Sequence, residues 1–252
     1  MTPKAWFAAK DPQKFLRFVQ DNQNKPRLYR PTNHRLRLFA CASVRQVWHL
    51  LTTDARSAVQ SSERYAEGRT TLTNLLAAAI RRRNQRLTAE QFALSAAQAA
   101  SGLPEEVPEA VRHRHHVPFH PFDAAQDAAR AVAIRDIGPA PPGRPTTPAW
   151  QTAWTAAYLK AREIQADYFR DIFPPPRYRP RLNSSWVSST VFSLARQMDG
   201  SGDYSIVPIL ADALQDAGCT DEAILSSCRC AGNHHVRGNW VVDLIVGRTY
   251  IR

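Results

Sequence analysis

Three of the four cysteines share a short stretch with a histidine pair, in the series Cys219, Cys228, Cys230, His234 and His235. Thiolates and imidazoles are zinc ligands, so these residue types in this density could begin a zinc site. Their spacing argues against one. Structural zinc sites pair ligands about two to four residues apart in two knuckles. Here C-x8-C-x-C-x3-H-H sets Cys219 and Cys228 at opposite ends of a helical stretch. The five are expected to be half-buried packing groups, with no metal and no cofactor. A second run, His113, His115, His116 and His120, is a compositional signal for metal binding or pH sensing and no more.

Carboxylates give little more. Asp243 lies inside the apolar run Trp240–Val246 and must reach solvent or meet Arg237, His235 or a helix N-terminus. Asp212 and Asp216, at i and i+4, share a helix face that reads as solvated surface. The chain has no glycine-rich phosphate loop, nucleophile elbow, HExxH or CxxC. The reading leans away from catalysis. Its enzyme alternative is a metal-dependent or hydrolytic site centred on the C-terminal Cys/His/Asp cluster.

Basic residues are the other chemistry on offer. The 252 residues include 33 Lys and Arg against 22 Asp and Glu, for a net charge of +11. Only Lys4, Lys10, Lys14, Lys25 and Lys160 are lysines; the rest are arginines. Such a balance attracts polyanions, and the guanidinium suits bidentate phosphate contact, although a GC-rich genome would give the same skew. The arginines expected to contact nucleic acid are Arg27 and Arg30 in a proline-containing loop, Arg81, Arg82 and Arg83 at a helix end, and Arg177, Arg179 and Arg181 after a triple proline. For the 81–83 run, complementing the helix dipole is the competing explanation. For the 177–181 run it is a solvated linker.

The elements that must position these residues read as helices. Leu36, Phe39, Ala40, Val44, Val47, Trp48 and Leu51 recur at helical spacing, with Arg45, His49 and Arg35 on the other side. Asp54–Ala66, Thr71–Asn84 and Thr88–Ala100 are Ala-rich helical segments punctuated by Gly68 and Gly102. Asp123–Ile137 is helical, and Gly138–Pro148, with five prolines, is a stiff connector. Trp150–Phe173 is the longest helix, with Trp154, Tyr158, Ala161, Ile164, Tyr168 and Ile172 expected in the core. Ser189–Met198, Tyr204–Ala217, Thr220–Cys228 and Trp240–Val246 follow as short helices, Gly218 ending the second and the Thr220-Asp221-Glu222 group opening the third. No segment reads as a strand. No window approaches the roughly eighteen apolar residues of a membrane-spanning helix, and residues 1–12 lack the apolar run of a signal peptide, so no membrane association and a cytoplasmic location are expected.

Two regions carry a resemblance. RLRLFACASVRQVWHLL at 35–51, followed by SSERYAEG at 61–68, is similar to the amino-terminal part of a large family of planctomycete-type proteins of unknown function. QADYFRDIF at 165–173, VPILADALQDAGC at 207–219 and HVRGNWVVDLIVG at 235–247 resemble that family's tail. The resemblance spans about two thirds of the chain and implies no activity, cofactor or partner. Cys41, Cys219 and Cys228 match family positions, while Ser43, Val44 and Asn239 stand where members often carry cysteine.

The expectation is an all-α protein, a multi-helix bundle or irregular helical array. Residues 1–102 form an N-terminal helical region, 103–149 a His/Pro-rich connector with one short helix, and 150–252 a C-terminal helical region, the two helical regions able to share one core. In function it reads as a non-catalytic binding or adaptor protein, a subunit of a larger assembly, with nucleic acid or an acidic protein surface as partner. A structural helical scaffold is the further alternative.

Overall fold

A computed structural model describes residues 3–9, 14–15, 33–78, 89–101, 120–140, 146–176, 178–229 and 234–248. Among them are eleven α-helices, two single 3-10 turns and no strand, so the protein is the all-α helical array its patterning predicts. In chain order the helices are α1 (Pro3–Ala8), α2 (Asn33–Arg45), α3 (Thr53–Ala66), α4 (Leu72–Ala78), α5 (Ala89–Ser101), α6 (Pro121–Ile137), α7 (Pro148–Ile172), α8 (Ser189–Ser201), α9 (Val207–Asp216), α10 (Glu222–Cys228) and α11 (Trp240–Val246). The 3-10 turns are Trp48–Leu50 and Ser184–Trp186.

Helix starts follow local side-chain chemistry. Thr52 Oγ1 accepts the Ala55 N–H at 3.3 Å and Ser188 Oγ accepts that of Val191 at 3.3 Å. Asp221 Oδ1 accepts from Ala223 at 2.9 Å and Ile224 at 3.2 Å. Each satisfies amide donors that a helix start leaves without intrahelical partners. Chain contacts then gather into two compact units, one of Leu36–Gln165 and one of Met1–Arg35 with Ala166–Arg252; α2 and α7 lend residues to both.

In the Leu36–Gln165 unit the most extensive helix pairing among the described residues joins α5 and α6. Its buried positions are Ala93, Ala96, Ala97 and Ala100 on one helix and Ala124, Ala125, Ala128 and Ala131 on the other. Side chains this small let two backbones approach closely and lose no rotamer entropy on burial. Each also buries little apolar surface, and a polar link reinforces the pair: Ser95 Oγ on α5 donates to Asp127 on α6 at 2.6 Å, the same carboxylate that Arg130 of α6 holds at 3.0 Å.

Arginines tie the other helices in. Arg37, 2 % exposed, donates to Ser62 Oγ at 3.1 Å and to the Ala100 carbonyl at 3.2 Å; Ser62 also donates to that carbonyl, at 2.7 Å. The last carbonyls of α5 have no intrahelical partners, and a cation placed there also complements the helix dipole. Arg45 grips Glu63 with two bonds of 2.6 and 2.7 Å and lies 4.6 Å from the centre of the Trp48 ring. Buried Gln165 donates to Gln46 at 3.0 Å and the Ala125 carbonyl at 2.8 Å, and accepts from Arg162 at 2.9 Å. Cys41 is fully enclosed, and burial, then the Glu63 charge, pushes its thiol up to about 12, which leaves it unreactive at neutral pH.

In the other unit an aromatic cluster joins the chain's beginning to α7. Trp6 meets Phe15 edge-on at 4.8 Å, Phe15 stacks on Phe169 at 5.1 Å, and Phe169 stacks on Phe173 at 4.3 Å. Arg170 donates to the Ala9 carbonyl and pairs with Asp167. A second core, built by α8–α11, includes Val191, Met198, Leu210, Leu214, Ile224, Trp240 and Val241.

Two expectations need correction. Arg35, placed on the polar side of its helix by periodicity, is 5 % exposed with its guanidinium over the Phe173 ring at 5.9 Å. Of the stripe expected in the core, Ala161 and Ile172 are buried, whereas Trp154 and Tyr158 are only half-buried. Trp150, Trp154 and Tyr158 stack on one another along α7, at 6.2 and 5.2 Å. The i, i+4 spacing that suggested a core face brings rings into mutual contact just as well.

The alanine seam gives a first prediction. Ala128→Leu forces three extra carbons between closely packed backbones and should cost about 1–3 kcal/mol. Urea denaturation measures it; an unchanged midpoint would show that the α5–α6 seam has slack.

Candidate functional site

The C-terminal His/Cys region is organised by a residue outside it. Asp171, in the last turn of α7 and 4 % exposed, accepts from His235 Nδ1 at 2.7 Å, from the Val236 amide at 2.8 Å and from Asn239 Nδ2 at 2.5 Å. Asn239 is itself the N-cap of α11, its Oδ1 accepting the amides of Val241 at 3.1 Å and Val242 at 3.0 Å. One carboxylate therefore fixes the loop before α11 and, through Asn239, the start of that helix.

The run from His235 to Trp240 can be read position by position. His235 and Val236 bind Asp171 through side chain and backbone. Arg237 passes over Gly202, the residue closing α8 at φ 75°, where a Cβ would run into the guanidinium. Gly238 takes φ 90°, a left-handed turn that favours glycine. Asn239 caps, and Trp240 is fully buried with the Tyr178 ring edge-on at 5.6 Å.

A His–Asp pair is also how enzymes orient a general base, but such a base needs a ring nitrogen open to substrate. The His235 side chain is 3 % exposed, and its far nitrogen is buried. Nδ1 faces the Asp171 carboxylate, while Nε2 has no hydrogen-bond partner among the described residues, so the ring has no open nitrogen to offer a substrate. Burial pushes its pKa down; the Asp171 hydrogen bond and charge, the Cys228 carbonyl and Asp167 push it up, and the upward effects win.

The neighbouring groups are also engaged in structure. His234, 37 % exposed, lies 3.3 Å from Asp167 and edge-on to Tyr168. Asp243 sits in the first turn of α11 and lies 3.3 Å from Arg248, which also pairs with Asp199. Asp212 pairs with Arg229 at 3.2 Å. Cys219 and Cys228 are free thiols packed in the α8–α11 core. Among the described residues no three His, Cys, Asp or Glu side chains converge in a way that could hold a metal ion. Cys230 lies outside the described residues, as do His113, His115 and His116.

Of the eight arginines expected to contact nucleic acid, Arg27, Arg30, Arg81, Arg82, Arg83 and Arg177 lie outside the described residues, and Arg179 and Arg181 are exposed. Arg179 and Arg181 stand on a strap that runs from Tyr178 to the Ser184–Trp186 turn. Tyr178 anchors it, donating to Asp221 Oδ2 at 2.7 Å, and Leu182 packs against the α8–α11 core. The strap thus alternates anchored and displayed side chains, as extended backbone does.

Sequence reasoning missed Asp171, Asn239 and Arg248. Asn239 before an apolar run is an N-cap signal. The bond from Asp171 to His235 leaves no local trace.

No family model matches this chain, nor does any curated protein or solved structure.

Two predictions follow from the Asp171 node. Asp171→Ala leaves three buried donors without an acceptor and should cost about 3–5 kcal/mol in urea denaturation, more than Asp171→Asn, which keeps an oxygen. Because the folded state raises the His235 pKa, that residue's stabilisation is full below its unfolded value of about 6.5 and is lost as pH rises through the folded value. Wild-type melting temperature should fall over that rise. His235→Gln should melt lower at acid pH and show a flatter profile; identical profiles would refute the upward shift of the His235 pKa.

Proposed function

We propose that the protein is a non-catalytic, intracellular binding or adaptor protein that engages nucleic acid or another polyanion through exposed arginines. The observation carrying this reading is a division among the arginines. Arg35, Arg37, Arg162 and Arg170 are buried, and Arg45 and Arg248 are committed to carboxylates. Arg179 and Arg181 are displayed to solvent on an anchored strap. Between Asp171 and Asp199 the sequence holds four arginines and no acidic residue, so this stretch of chain carries net positive charge. Free thiols at Cys41, Cys219 and Cys228 support a reducing, cytoplasmic location. No helix among the described residues is long and apolar enough to cross a membrane.

Retention on heparin and on immobilised mixed nucleic acid tests the reading. Binding at about 50 mM salt should weaken steeply toward about 200 mM. Arg179→Gln/Arg181→Gln should elute at lower salt than wild type with an unchanged melting temperature. No retention at low salt would overturn the polyanion reading.

A further inference from the structure

We infer that the strap from Tyr178 to Trp186 takes single-stranded nucleic acid in preference to duplex. The inference rests on the polyanion reading and adds the class of ligand. Duplex readers commonly place a basic helix in the major groove. The helices of this lobe do not provide one. Across α8, α9, α10 and α11 the only Lys or Arg is Arg196, which lies 4.0 Å from Asp199. The displayed positive charge is instead linear, on irregular backbone.

That backbone has a set direction. Pro180 fixes its own φ and holds Arg179 in the extended region. Tyr178 and Leu182 face the core, while Arg179 and Arg181 project outward, about 6.6 Å apart at extended rise. A single strand can lay successive phosphates along such a line.

A stacking group follows directly. Asn183 ends the strap by accepting the Ser185 amide at 3.1 Å, and the Trp186 amide donates to the Asn183 carbonyl at 3.0 Å. This turn leaves Ser184 and Ser185 exposed and Trp186 half-buried. Unpaired bases stack on aromatic side chains beside a basic track, and a duplex offers no unpaired base.

The test is fluorescence anisotropy with a labelled mixed-sequence single strand and the same sequence as duplex, over a salt series. The single strand should bind several-fold more tightly. Arg179→Gln/Arg181→Gln should lower its salt slope by about 1.4, from about 0.7 per phosphate contact. Trp186→Leu, which keeps an apolar group against the core, should weaken single-strand binding about tenfold and leave heparin elution unchanged. Equal or tighter duplex binding that depends on the two arginines would overturn the single-strand inference and leave the polyanion reading standing. Single-strand binding indifferent to all three substitutions would overturn the strap as its site. No binding to either oligonucleotide or to heparin would overturn both readings.

Discussion

A carboxylate buried to 4 % exposure is unfavourable unless every lone pair has an answer, and Asp171 is answered from a loop more than sixty residues away. Its three donors come from a side-chain imidazole, a backbone amide and the amide of a capping asparagine. That set couples two events. The loop cannot leave Asp171 without uncapping α11, and α11 cannot fray without loosening a donor to a buried charge. Of the residues that looked most like a metal centre, His235 is the one this acid holds in place.

Arginine makes a comparable contribution elsewhere in the molecule. A strongly basic composition suggests either a polyanion surface or codon bias, yet several arginines occupy a third role. Arg37 reaches across to a helix C-terminus, Arg45 holds Glu63 by both oxygens, and Arg170 gathers the Ala9 carbonyl and Asp167. A planar fork with five donors can answer carbonyls and carboxylates that lysine would serve one at a time. Net charge is therefore a poor measure of the charge this protein displays, and position must be consulted residue by residue.

How far the sequence could be read follows the range of the forces involved. Helix limits were legible where a cap or a glycine acts within a turn, as at Asp221 and Gly218. Cys219 and Cys228, expected to be half-buried, are buried outright in the α8–α11 core. The fate of Arg35 was not legible, because periodicity reports one helix face and this helix is buried at every residue from Arg35 to Val44. Nor was the stacking of Trp150, Trp154 and Tyr158, since core packing and ring-on-ring contact share one spacing. Asp171 looked like any charged residue near a helix end; its role is set by partners that only the folded chain brings near.

The aromatic cluster of Trp6, Phe15 and Phe169 bears on the order in which the chain assembles. The Leu36–Gln165 unit is one continuous stretch, whereas its counterpart needs residues from both sides of that stretch. Closing so long a loop carries an entropic cost before any contact compensates it, and contacts of wide sequence separation form slowly. During synthesis the continuous unit can complete itself while Trp6 and Phe15 still wait, apolar and unpartnered, for Phe169 to emerge.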